Sequence, residues 1–452
     1  MRRSTRTLAL SVALLAGGAA RGNGRFPTAQ QVVFGAGEHA GRVTFRVTFG
    51  LLVSNDDARS FRWLCEEAMF SPATPGPAVD PAVEIDAQGR TLFGYGSGVR
   101  AWSPDACGVR VLPDLAEREV IDLAITPDLR TIYGVETTPG TRQWVLRASA
   151  DDLAFTRQGA GVAGVRLSTL DVAPSDPRRL YVGGLDEGTR APVVLRSDDA
   201  GETLLPVNLA PSLLGDEAFV AGVDPVTADN FWLRTNSGLG STLVRVRGVQ
   251  AEVVARSSDA MLGFARSGDG RTVWYGSVAG GLFRSTDGGD LFERVSELAI
   301  YCLAVREGEL WACGDWLRGP FALGRSVDGG RSFTPVLRFE DVAGPVTCAG
   351  EGAASCEPRW PTLRDDLLTP PRRDAGAQDA AARDAARDAP SADAGALGEL
   401  RPPPPSGGCA CSAVAPARRR PLALALLAAG WTIARRRRRS RASVIAFATH
   451  LQ

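Results

Sequence analysis

His39 is the one histidine in the body of the chain; the other, His450, stands two residues from the end. A Ser-His-Asp relay would therefore rest wholly on His39, which sits in the loop sequence GAGEHAGR and reads as a surface residue. The same scarcity excludes a His-rich metal centre. Of five tyrosines, Tyr133, Tyr181 and Tyr275 fall at one recurring apolar-aromatic position, which explains them as packing. Tyr95 and Tyr301 are less constrained, but neither has an acid placed in sequence to activate it. Asp56-Asp57 and Asp198-Asp199 could ligate calcium, yet turn formation accounts for them as well. These residues assemble no catalytic, cofactor or metal set.

The carboxylates that do recur belong to a short pattern. Ser54, Asp56, Ser60 and Phe61 form its first copy. The second is Ser197, Asp199, Gly201, Thr203 and Leu204. Ser285, Asp287, Gly289 and Phe292 make the third, and Ser326, Asp328, Gly330, Ser332 and Phe333 the fourth. The shared form is S-x-D-x-G-x-[ST]-[FWL]. Weaker copies start at Ser103 and Ser149, and a hairpin without the pattern fits residues 240–254. A serine hydroxyl and an aspartate carboxylate at this spacing bond nearby backbone groups and hold a tight turn. The glycine supplies the positive φ that such a turn requires.

The elements that position these turns repeat too. A short apolar-aromatic strand precedes each hairpin: Gln31 to Phe34, Arg90 to Phe93, Arg130 to Tyr133, Arg179 to Tyr181, Asn230 to Trp232, Arg271 to Trp274 and Glu309 to Trp311. Hairpin starts near 54, 103, 149, 197, 241, 285 and 326 are spaced by 41 to 49 residues, the length of one four-stranded propeller blade. The expectation is an all-β propeller of seven blades over residues 21–361, with six or eight also compatible. The copy at Gln31 lies first in the chain, so residues 338–349 are expected to supply the strand it lacks and to close the ring.

In these turns the chain resembles the BNR/Asp-box propellers, which include sialidases, sortilin ectodomains, xyloglucan-cleaving glycosidases and a photosystem-assembly factor. The resemblance covers roughly residues 30–360 and implies a fold more than an activity, because in that family the box lies on the outer rim, away from the ligand face. A sialidase uses three arginines on the substrate carboxylate, a tyrosine nucleophile with its glutamate, and an aspartate acid/base. Here the motif that introduces the first arginine is echoed only by Arg25-Phe26-Pro27.

Six cysteines fall in the body: Cys65, Cys107, Cys302, Cys313, Cys348 and Cys356. None forms CxxC or has a histidine partner, so disulfides are expected in place of zinc. Sequential pairing, 65 with 107, 302 with 313 and 348 with 356, is the simplest of the fifteen arrangements.

The two ends read as addresses. Residues 1–20, MRRSTRTLALSVALLAGGAA, have the basic start, apolar run and small-residue end of a secretory signal peptide. Residues 362–408 are built from Asp, Ala, Arg and Pro, with PPPP at 402–405, and are expected to form a disordered stalk. Then come Cys409 and Cys411, an apolar run at 421–434, an unbroken arginine run at 435–439 and an extension at 440–452. Fourteen helical residues span roughly 21 Å, short of a hydrocarbon core of about 30 Å unless flanking arginines snorkel. This order resembles the MYXO-CTERM sorting tail. The resemblance implies a transient transmembrane helix in contact with membrane lipid, processing or lipidation at Cys409 beside Cys411 by a sortase-like protease, and a protein held at the cell surface or envelope.

Between the two ends, residues 21–408 hold 39 arginines against 51 acids, about −12, which argues against a nucleic-acid partner. The expected function is a displayed binding module for a protein or glycan, with a surface-held, sialidase-like glycoside hydrolase as the alternative.

Overall fold

The computed structural model describes residues 26–70, 81–95, 98–104, 108–116, 118–137, 142–238, 240–347 and 351–369. The signal segment, Arg25, most of the stalk, Cys409, Cys411 and the apolar run at 421–434 lie outside them, as do Cys107 and Cys348. Among the described residues no helix is long and apolar enough to cross a membrane.

Twenty-eight strands form seven sheets, each of four strands in antiparallel sequence order. Blade 1 comprises β1 (Ala29–Phe34), β2 (Val43–Val47), β3 (Gly50–Ser54) and β4 (Arg62–Cys65). Blade 2 has β5 (Ala82–Ile85), β6 (Thr91–Tyr95), β7 (Gly98–Ser103) and β8 (Gly108–Val111); blade 3 has β9 (Val120–Ile125), β10 (Thr131–Glu136), β11 (Trp144–Ser149) and β12 (Thr156–Arg157). Blade 4 is β13 (Val165–Ala173), β14 (Asp176–Asp186), β15 (Pro192–Ser197) and β16 (Leu205–Pro206). Blade 5 is β17 (Glu217–Val223), β18 (Asn230–Ser237), β19 (Gly240–Arg247) and β20 (Gln250–Ser257). Blade 6 is β21 (Met261–Arg266), β22 (Val273–Ser277), β23 (Gly281–Ser285) and β24 (Glu293–Ser296); blade 7 is β25 (Ile300–Arg306), β26 (Glu309–Gly314), β27 (Leu323–Ser326) and β28 (Thr334–Leu337).

The apolar core has seven parts, and each joins two neighbouring blades. Seven blades in an open row would share only six interfaces and leave two apolar faces bare. The seventh interface, between blades 7 and 1, packs Phe45 and Trp63 with Trp311, Trp316 and Phe339. The chain is a closed seven-bladed β-propeller.

Closure differs from the sequence expectation. The run Gln31 to Phe34 is an innermost strand, β1, whereas its six supposed counterparts are second strands of their blades. The true second strand of blade 1 is β2, so blade 1 lacks nothing. Residues 343–346 instead run parallel along the outer edge of β4: the Ala343 amide donates to Phe61 O (3.0 Å), the Trp63 amide to Gly344 O (2.8 Å) and the Val346 amide to Trp63 O (2.9 Å). This covers an edge that would otherwise expose unpaired backbone.

The cysteines reinforce the same seam. Cys302 and Cys313 are bonded across the β25–β26 pair, but Cys65 bonds to Cys356, 291 residues away, and not to Cys107. Cys65 ends β4 and leads into α1 (Glu66–Met69), whereas Cys356 ends α2 (Glu351–Cys356). A further helix, α3 (Trp360–Leu368), carries the folded body past residue 361. It docks Trp360 against Trp63, with ring centroids 6.0 Å apart, and buries Leu367, so the stalk's first residues are structured.

Candidate binding face and channel

Antiparallel order sorts the loops onto two faces. Links between blades and the loops joining second to third strands leave from one face; the Ser-x-Asp turns, between third and fourth strands, leave from the other.

In each of the four clear copies the serine ends the third strand. Ser326 donates to Asp328 Oδ1 (2.8 Å) and accepts from the Gly330 amide (2.8 Å); Asp328 in turn accepts from the Ser332 amide (2.9 Å) and hydroxyl (2.6 Å). Ser197, Asp199, Gly201 and Thr203 repeat this arrangement, as do Ser54, Asp56, Ala58 and Ser60. Ser285, Asp287 and Gly289 do the same without a terminal hydroxyl, Leu291 offering only its amide. These bonds hold the carboxyls below the usual range: the Ser332 hydroxyl leads for Asp328, the Ser285 hydroxyl for Asp287 and the Thr203 amide for Asp199. At Asp56 burial pulls upward, and the Ser60 bonds outweigh it. Every carboxylate is committed to its own turn.

The turns also clasp neighbouring blades. Gly289, at φ +88°, lies so close to the Trp232 ring of blade 5 that an added Cβ would sit 2.1 Å from it. The Trp274 indole of blade 6 donates to Gly329 O (3.0 Å) in blade 7, and Arg245 Nη1 of blade 5 donates to Gly288 O (2.7 Å) in blade 6.

The tyrosines perform related work. Tyr133 and Tyr181 are almost wholly buried and donate to Pro177 O (2.9 Å) and Ala228 O (3.0 Å) of the next blade. Burial pushes the Tyr275 phenol up to about 12. None is a poised nucleophile. His39 is half-buried beside Gly89, where blades 1 and 2 meet, and among the described residues its acidic neighbour is the exposed Glu38 at 3.6 Å. That is no relay.

Sequence reasoning missed a set of carboxylates on the innermost strands. Asp122 of β9 accepts from its neighbour Leu123 (3.0 Å) and from the Leu170 amide of blade 4 (2.7 Å). Asp171 of β13 repeats this with Val172 (2.8 Å) and the Val223 amide of blade 5 (2.9 Å). Each thus ties its blade to the next. Glu84 of β5 joins them electrostatically. All three residues are half-buried on their innermost strands. Burial therefore pushes Asp122 up to about 7, against its two amide bonds, and raises Asp171 against the attraction of Arg266. Glu84 rises well above an ordinary glutamate through burial first and the charges of Asp122 and Asp171 second.

Among the described residues, two cavities open from the face opposite the Ser-x-Asp turns. The larger, about 430 Å³, lies between blades 6 and 7, with Leu298, Tyr301, Pro320 and Phe321 on its walls and Asp259, Glu297, Asp315 and Arg318 among its polar groups. Asp259 accepts from Ser257 and from the Ala279 and Gly280 amides; Asp315 accepts from the Leu317 and Arg318 amides, both at 3.1 Å. Their first duty is to shape the loops. The smaller cavity, about 270 Å³, occupies the mouth of the central channel, walled by the first residues of β21 and β25 with Gln30 and Gln31 of β1. Among the described residues no three His, Cys, Asp or Glu side chains are grouped to hold a metal ion.

No protein-family model matches the chain, and no curated protein is similar to it. Solved structures similar to it include a GH74 enzyme of Niastella koreensis, at 11% identity and TM-score 0.30 over 68% of this chain and 65% of that one. Another is the GH74 xyloglucanase of Xanthomonas campestris, at 14% identity and TM-score 0.30 over 66% and 62%. A third is the β-propeller domain of Cps50 (Swd1) from Myceliophteria thermophila, at 10% identity and TM-score 0.44 over 64% and 94%. The chain spans less than two thirds of either GH74 enzyme's length. All these likenesses are distant.

Proposed function

We propose that this propeller is an exported, surface-anchored binding module that takes a protein or glycan ligand on the face opposite the Ser-x-Asp turns. The observation that carries the reading is the division of labour between the faces. The box carboxylates Asp56, Asp199, Asp287 and Asp328 are consumed by their own turns, whereas the other face holds the 430 Å³ cavity with aromatic walls and a charged rim. Aromatic anchors within a polar rim suit macromolecular recognition. The BNR/Asp-box resemblance supports the same choice of face. The signal-like segment, the stalk composition and the Cys409–Arg439 pattern support display at the envelope after processing at Cys409.

A surface-held glycoside hydrolase is the second reading, favoured by one observation: the larger cavity gathers Asp259, Glu297 and Asp315 with Tyr301. A single preparation separates the two. Purified full chain is assayed against a panel of fluorogenic glycosides and immobilised for capture from envelope extract. The binding reading expects a retained ligand that Leu298→Arg abolishes, with no turnover. Turnover that Asp259→Asn or Asp315→Asn abolishes would establish the hydrolase instead.

A further inference from the structure

We propose that the cavity between blades 6 and 7 selects a basic side chain, a guanidinium or ammonium on a hydrocarbon stem, so that the ligand is an exposed arginine- or lysine-bearing segment of a protein and not a glycan. The inference rests on the binding reading of this face and narrows it from two ligand classes to one.

Three chain segments build the cavity. The link from blade 5 to blade 6 supplies Asp259, the link from blade 6 to blade 7 supplies Glu297 and Leu298, and the loop between β26 and β27 supplies Asp315, Arg318 and Pro320. That loop runs from 315 to 322, whereas its counterpart in blade 6 runs only from 278 to 280. Trp316 pins it: the indole donates to Pro27 O (2.8 Å), and the ring packs on Phe339 with centroids 5.2 Å apart. A wall held in this way is preformed, which lowers the ordering cost of binding. Val278, Leu298, Ala299 and Pro320 line the cavity with hydrocarbon, each of them partly exposed.

The charge of the lining is lopsided: Asp259, Glu297 and Asp315 stand against the guanidinium of Arg318. Asp259 accepts from the Ser257 hydroxyl and from the Ala279 and Gly280 amides, all neutral donors. These bonds orient the carboxylate without cancelling its charge, and among the described residues no arginine pairs with it. Glu297 meets Arg294 at 3.0 Å, but both are exposed, so the contact is weak and readily exchanged. The excess of 51 acids over 39 arginines in residues 21–408 acts in the same sense and draws cations toward an acid-lined hollow. A basic side chain matches both parts of the lining. Its stem covers the apolar wall, its head brings several N–H donors to the carboxylates, and the Tyr301 ring in the wall attracts a cation further. A neutral glycan leaves the charge unanswered, and an acidic one is repelled. Two sources share the favoured chemistry, a basic protein segment and a free small cation; the hydrocarbon wall on either side of the acids favours the segment, which brings flanking residues to cover it.

The test is calorimetric titration of the full chain with a capped hexapeptide carrying one arginine, the same peptide with citrulline in its place, and agmatine. Citrulline keeps the shape of arginine and loses the charge. The arginine peptide should bind about 10- to 100-fold more tightly than the citrulline peptide, the span of a hydrogen bond to a charged group, and more tightly than agmatine. Glu297→Gln removes a rim charge and should cut that preference about two- to fivefold. Glu307→Gln removes the same charge from the β25–β26 turn on the other face and should leave the preference intact. The inference is overturned if arginine and citrulline bind alike, if the preference survives Leu298→Arg, or if Glu307→Gln costs as much as Glu297→Gln. Agmatine binding as tightly as the peptide would also overturn it, assigning the cavity to free cations. A captured envelope ligand that Leu298→Arg abolishes but the arginine peptide does not displace would sink this inference and spare the binding reading. Turnover of a glycoside would sink both.

Discussion

Replacing Gly289 by alanine tests how far the Ser-x-Asp turns act as clasps between blades. Two costs are expected. The residue holds φ at +88°, and an L side chain there costs about 1–2 kcal/mol. The new Cβ would then lie 2.1 Å from the Trp232 ring, so the ring must retreat by more than an ångström within a packed interface. Overpacking of that kind costs about 1–3 kcal/mol, for a total of about 2–5 kcal/mol. Gly288 provides the internal control. Its φ is +72°, but the nearest atom to an added Cβ is 3.8 Å away, so Gly288→Ala should lose only the backbone share, about 1–2 kcal/mol. Urea denaturation of both variants gives the difference. A third variant, Gly289→Ala with Trp232→Leu, should cost less than the sum of its parts, because the smaller side chain makes room. Equal losses at 288 and 289, or strict additivity with Trp232→Leu, would refute the clasp.

Three further outcomes follow from the ring and the channel. Opening the seam with Cys65→Ser/Cys356→Ser releases a closure of 291 residues, worth up to about 5–6 kcal/mol in chain entropy, against about 3 for the 11-residue loop of Cys302–Cys313. The first pair of serines should therefore lower the urea midpoint further, and the reverse order would contradict the seam's role. The raised channel carboxylates set a pH dependence. Between an unfolded value near 4 and the Asp122 value of about 7, the folded protein holds more protons than the unfolded chain. Stability should thus fall as pH rises through that window and level off above it. Below about pH 4 it should fall again as the depressed carboxyls of Asp287 and Asp328 are protonated. A urea midpoint at pH 8 equal to or above that at pH 5 would contradict this. Glu84→Gln removes one of three like charges without breaking a hydrogen bond, so it should raise the pH 8 midpoint more than the pH 5 midpoint; a uniform shift would count against the charge cluster.

Much of the architecture was legible because a repeat states its period many times. The four clear Ser-x-Asp copies and the two weaker ones mark where third strands end in six of seven blades, and in blade 5 the tight β19–β20 hairpin stands in the same place. The error arose where the repeat is ambiguous. Gln31-Val32-Val33-Phe34 has the apolar-aromatic texture of a second strand, whereas Thr44 and Arg46 interrupt that texture in Val43-Thr44-Phe45-Arg46-Val47. In the ring, however, Thr44 hydrogen-bonds Thr91 (2.7 Å) and Arg46 donates to Pro81 O (2.7 Å), both in or leading into blade 2. One misplaced strand then demanded a donor from the other end of the chain. The Cys65–Cys356 bond was hidden for a related reason: neighbours in a closed ring are distant in sequence, and spacing favours local pairs. The channel carboxylates had no visible signal, since an inner strand alternates like any other.

The choice of ligand face is tested most directly by two matched surface variants of the immobilised full chain. Ala299→Arg narrows the cavity between blades 6 and 7, and Val327→Arg places the same charge on the exposed tip of a Ser-x-Asp turn. Retention of the captured envelope ligand should drop at least about tenfold for the first and stay near the wild-type level for the second. Loss with Val327→Arg and retention with Ala299→Arg would place the binding surface on the other face and contradict the proposal.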